Sequence, residues 1–151
     1  MTDRRLPPTS RPKEPHLPFR LMFLPLIVAM SGCNPPADYA LAGSADVPST
    51  HGDVEVEKID KEQLLVTIEL DFLPPPNQID ASLTDYAVWF VVVGEDPVLQ
   101  GLLTYDTTER VGRGSFPTSL REFELRITAE PTATPAAPNF LLVASQQIRE
   151  K

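Results

Sequence analysis

The chain alternates. In "QLLVTIELDF" the residues Leu64, Val66, Ile68, Leu70 and Phe72 fall on one side of an extended backbone, and Leu65, Thr67, Glu69 and Asp71 fall on the other. A period of two is the pattern of a strand that buries one face and wets the other. "REFELRITAE" repeats it, with Phe123, Leu125, Ile127 and Ala129 inward and Glu122, Glu124, Arg126 and Thr128 outward. "DVEVEKI" does so more weakly, setting Val54 and Val56 against Asp53, Glu55 and Glu57. "YAVWFVVV", residues 86–93, is apolar on both faces and rich in aromatic and β-branched side chains, as a central strand is. "PVLQGLLTYD" and "NFLLVASQQI" each read as one further strand, and residues 111–116 as a short one.

Proline sets the breaks. Many of the 17 prolines sit between these runs, in "LPPPNQ", "GEDP" and "EPTATPAAPN". Proline has no N–H for a ladder and is excluded from strands with neighbours on both sides. From residue 51 onward no stretch keeps a helical period. The pattern therefore predicts an all-β fold, an Ig-like sandwich of about six to eight antiparallel strands over residues 51–151. A domain of that size buries a real core without a disulfide.

The first 32 residues are of another kind. They carry five Lys/Arg against two acids, whereas residues 33–151 carry eight against nineteen. An acidic body repels phosphate backbones, so no nucleic-acid partner is expected. It is repelled by anionic lipid as well, so a membrane would have to hold it by an anchor. Residues 21–30 are apolar apart from Pro25. Ten residues are too few for a bilayer span but fit the apolar core of a signal peptide, with Arg20 and the upstream basic residues as its charged start. Arg4-Arg5 lacks the flanking pattern of a twin-arginine signal.

Directly behind that run stand Met30, Ser31, Gly32 and Cys33, the only cysteine. This order resembles the lipobox of bacterial lipoproteins, with Met in place of the usual Leu. The resemblance implies that cleavage falls between Gly32 and Cys33 and that the Cys33 thiol accepts diacylglycerol. One acyl chain holds a protein only marginally at a membrane, and two or three hold it stably. The expected organisation is a signal peptide over 1–32, a lipidated Cys33 with a flexible tether over 33–50, and the β-sandwich over 51–151. The expected address is the cell envelope, facing the periplasm or the exterior.

Catalytic patterns are sparse. His51, in "STHGD", is the one histidine after residue 32. Zinc needs three or four convergent ligands, and no metal or other cofactor is expected. There is no Gly-x-Ser-x-Gly elbow and no phosphate-binding glycine loop. Asp53, Glu55 and Glu57 share a strand face but lack the Asp-rich, Gly-containing spacing of calcium loops, so they read as a solvated outer face.

"DYAVWFVVVGEDPVLQGLLTYD" and "LREFELRITAEPTATPAAPN" together resemble the C-terminal extracytoplasmic domain of anti-sigma-K factors. The matching positions are Tyr86, Trp89, Pro97, Gly101, Glu130 and Pro131. The resemblance implies a β-fold outside the cytoplasm and covers about half of the segment after Cys33. Sigma binding also needs a helical cytoplasmic domain and a membrane span, and no stretch here reads as either. As residues in their own right, Trp89 is expected in the core and Tyr86 half-buried with its hydroxyl at an edge. Gly101 is expected at a bulge or close approach to Trp89, Pro97 in the "GEDP" turn, and Glu130 as a structural acid at a strand end, solvated or capping a neighbouring turn, with a ligand-facing role as the alternative. The function these features favour is a membrane-anchored binding or structural domain, with an envelope protein as a candidate partner. An accessory or sensor domain of an envelope signalling system is the first alternative, and a hydrolase the second.

Overall fold

The computed structural model describes residues 35–150. The chain divides into two units, residues 1–32 and 33–151, and the second is described below. It holds nine strands: β1 (Ala37–Ala42), β2 (His51–Lys58), β3 (Leu64–Asp71), β4 (Asp85–Val91), β5 (Val98–Leu102), β6 (Thr104–Asp106), β7 (Val111–Thr118), β8 (Glu122–Glu130) and β9 (Leu141–Arg149). One helical turn, α1 (Pro76–Ile79), forms in the proline-rich β3–β4 connection. Among the described residues no helix is long and apolar enough to cross a membrane.

The strands form two sheets in the orders β1-β2-β3-β7-β6 and β5-β4-β8-β9, and every recorded pairing is antiparallel. In immunoglobulin lettering, β2-β3-β7-β6 corresponds to A-B-E-D and β5-β4-β8-β9 to C′-C-F-G, with β1 added outside A. The fold is therefore the expected all-β sandwich with one strand more.

That strand corrects the expected tether. Residues 37–42 pair along the whole of β2, from Ala37↔Val56 to Ala42↔His51. Leu41 and Val47 are buried in the core. The turn after β1 is held by Gly43 N donating to Thr50 O at 2.8 Å. Gly43 also bridges to Ala144 of β9, closing that side of the sandwich. On the opposite side "PVLQGLLTYD" does not stay one strand. It breaks at Leu103 into β5 and β6, which belong to different sheets, and Leu103 N donates to Tyr86 O at 2.9 Å.

The alternation does what the pattern demanded. Val54, Val66, Ile68 and Leu70 meet Val88, Phe90, Phe123, Leu125 and Ile127 in one core. Phe90 and Phe123 stack with centroids 4.3 Å apart. Phe72 is the exception: its φ of 54° turns it out of the run, and it is 56% exposed. Leu73 takes the buried place instead. Pro117 lies within β7 opposite Leu65, on a stretch where β7 has a neighbour on one side only, since β6 pairs no further than Arg113.

Candidate functional site

Where β1 enters, a partly open cleft of about 410 Å³ lies at the end of the sandwich. Pro35, Pro36, Ala37 and Tyr39 form one wall, and Val56 and Leu64 stand against them. Lys58 and Glu150 close its rim with an ion pair of 3.4 Å. Arg121 reaches the other Glu150 oxygen at 2.5 Å and donates to Lys61 O at 2.9 Å. Partial burial opposes ionisation of Glu150, but the hydrogen bonds from Arg121 and Lys58 outweigh it and hold the carboxyl below its ordinary value. The Tyr39 hydroxyl donates to Arg149 O at 2.6 Å, tying β1 to the end of β9. The interior of the cleft is thus apolar and its rim is charged, the arrangement that suits a ligand with a hydrocarbon body. Sequence reasoning misses it because its front wall lies in a stretch of Pro, Ala, Ser and Gly that reads as tether.

The positions that carry the anti-sigma-K resemblance fall into three places. Tyr86 is on the core face of β4 and is 1% exposed, deeper than the half-buried edge position expected. Its hydroxyl donates to Pro74 O, and the neighbouring Tyr105 hydroxyl donates to Leu73 O at 2.8 Å. The two rings meet edge-on at 5.7 Å. Burial pushes the Tyr86 phenol well above its ordinary value, reinforced by Tyr105 and partly offset by Arg110. The pair fastens the proline-rich corner after β3 onto β4.

Trp89 and Glu130 lie on the other face of that sheet and are joined through Thr128. Trp89 Nε1 donates to Thr128 Oγ1 at 2.9 Å, and Thr128 Oγ1 donates to Glu130 Oε1 at 2.6 Å. Trp89 is buried as expected, but it faces away from the main core. Glu130 is 0% exposed, which corrects its reading as a solvated or capping acid, and its Oε2 has no hydrogen-bond partner. It ends β8 opposite Asp85, and its backbone oxygen accepts from Thr84 N at 2.9 Å. Half-buried Pro131 then opens the loop over residues 131–140.

Pro97 and Gly101 belong to the β4–β5 hairpin. Pro97 is half-buried just before β5. Gly101 is paired with Val88, and the register slips between Val88 and Trp89, leaving Gln100 as the extra residue of a bulge. The bulge is the expected one, but the close approach is to a different ring: a Cβ at Gly101 would lie 3.0 Å from Phe116 rather than against Trp89.

Asp53 and Glu55 join Asp38 and Glu69 around an open concavity of about 470 Å³ on the outer face of the five-stranded sheet. Arg113 pairs with Glu69 at 2.9 Å, with both side chains about half exposed. Among the described residues no group of three or more His, Cys, Asp or Glu side chains is arranged to hold a metal ion. His51 stacks on Phe72 at 5.2 Å and lies 3.2 Å from Ser49 O through Nδ1. Gly32 and Cys33, the expected cleavage and lipidation positions, lie outside the described residues. No family model, curated protein or solved structure matches this chain.

Proposed function

We propose that the protein is an envelope lipoprotein: diacylglycerol on Cys33 holds an Ig-like β-sandwich on the outer side of a membrane, where it serves binding or envelope structure rather than catalysis. The observation that carries this reading is the order of residues 20–33, a basic residue and ten largely apolar positions followed by Ser31-Gly32-Cys33. The start of paired structure at Ala37, four residues past the cysteine, supports it, since it leaves a folded domain beginning close to its anchor. The non-catalytic part draws on His51, which engages a backbone oxygen and an aromatic ring instead of a Ser or Asp side chain.

The test is fractionation of bacteria expressing the full chain and its Cys33→Ser variant. The wild type sediments with membranes and needs detergent for release. Cys33→Ser appears in the soluble fraction or as an uncleaved precursor. Equal partitioning of the two contradicts the reading.

A second reading, an accessory domain for a membrane regulator, draws on the resemblance at Tyr86, Trp89 and Glu130. In-cell crosslinking of the anchored protein that recovers a transmembrane regulator would support it, and recovery of none would count against it.

A further inference from the structure

We propose that the cleft beside β1 seats one acyl chain of the protein's own Cys33 lipid. This rests on the lipoprotein reading and gives it a local mechanism. The argument begins with where the chain enters the fold. Pro35 and Pro36 are themselves part of the cleft wall. Cys33 is two residues upstream, so its Cα lies within about 7 Å of that of Pro35. Two successive prolines fix φ and stiffen the backbone of the wall at residues 35 and 36. Whatever the thiol carries is therefore tethered two residues from the cleft wall.

The interior suits a hydrocarbon. Ala37, Tyr39, Val56 and Leu64 present apolar surface, and the Lys58–Glu150 pair stands at the rim, where the polar end of an anchored lipid would lie. The cleft holds about 410 Å³. Seating one chain withdraws it from the bilayer. Since membrane hold depends on the number of chains inserted, an occupied cleft weakens the anchor and an empty one strengthens it.

The experiment uses the full chain in bacteria fed a fatty acid bearing a diazirine near its tail. After irradiation, peptide mass spectrometry locates the probe and its crosslinks. The expected result is probe on Cys33 with crosslinks to the peptides containing Ala37 and Tyr39 or Val56 and Leu64. Ala37→Phe, which fills the cleft from a half-buried strand end, should lower that yield severalfold while probe on Cys33 is unchanged. Probe on Cys33 without crosslinks to those peptides overturns the proposal and leaves the anchoring reading intact. Undiminished crosslinking in Ala37→Phe also overturns it. Equal cleft crosslinking in Cys33→Ser assigns the cleft to bilayer lipid and overturns it too. Unmodified Cys33 in the wild type overturns both readings, and the mass of the Cys33 peptide tells that case from the others.

Discussion

The indole N–H of Trp89 and the hydroxyl of Thr128 are 2.9 Å apart, and the same hydroxyl passes its own proton toward Glu130 at 2.6 Å. One threonine oxygen thus satisfies a donor and an acceptor that are both closed off from water. Thr128→Val keeps the shape and removes both bonds. At about 1–3 kcal/mol for each of the two orphaned buried groups, it should cost about 2–6 kcal/mol. Thr128→Ser keeps the hydroxyl and should cost about 1 kcal/mol or less, the value of one buried methyl. Denaturant titration followed by emission from Trp89, the single tryptophan, reads both. Equal losses in the two variants would contradict the relay.

Trp89 itself is 1% exposed on the face away from the central core. Trp89→Ala should cost about 3–5 kcal/mol, as removal of a large buried aromatic does. Denaturant titration of this tryptophan-free variant and the wild type is followed by circular dichroism, and a loss below about 1 kcal/mol would place the ring at a surface and make it a binding residue.

Tyr86 predicts behaviour in alkali. Burial, with Tyr105 beside it, raises its folded-state value, so the neutral phenol is the favoured form. That stabilisation is complete below the unfolded value of about 10 and is lost as pH rises beyond it toward the folded value. Stability should therefore fall above about pH 10. Tyr86→Phe loses the bond to Pro74 O and should be about 1 kcal/mol less stable at neutral pH, yet show a shallower alkaline decline. Urea midpoints measured from neutral pH to pH 11 check this, since parallel curves would contradict it.

Glu150 acts at the other end of the scale. Rim burial works against its ionisation, and Arg121 and Lys58 more than offset that, so its folded-state value is lowered. The contribution is present above the unfolded carboxyl value of about 4.3 and disappears as pH falls through the folded value. Glu150→Gln should be less stable than wild type at neutral pH and should converge with it in acid. A gap that persists at low pH would mean that packing, not charge, holds the end of the chain.

Gly52 sits inward between Leu41 and Leu70 in the middle of the first sheet. A Cβ there would stand 1.9 Å from Glu69 O, a backbone atom with no room to move. Gly52→Ala should therefore cost more than about 2 kcal/mol by pushing β2 from β3. Unchanged thermal unfolding would contradict the register of the two strands.

How much of this was legible in the sequence depends on where each signal lives. The inward sets of β3 and β8 were readable because the period of two is a local property, and burial followed it at Leu64, Val66, Ile68, Leu70, Phe123, Leu125, Ile127 and Ala129. β1 was hidden by its neighbours. Ala37, Tyr39 and Leu41 do alternate, but six residues amid Pro, Ala, Ser and Gly carry too weak a pattern without β2 to pair with. Phe72 continued the alternation, and one positive φ removed it. The burial of Glu130 is a tertiary fact: its position at a strand end suggested solvent, and nothing nearby in sequence announces that Thr128 and Trp89 enclose it. The cleft was invisible for the same reason, since its walls come from residues at both ends of the domain.

The central claim is that Cys33 carries the lipid that holds the sandwich at a membrane. The most direct measurement is the mass of the N-terminal peptide of the protein taken from the membrane fraction. A peptide that begins at Cys33 and bears a diacylglyceryl group is the predicted result. A polypeptide that still begins at Met1, with a free thiol and recovered from the cytosol, would contradict it.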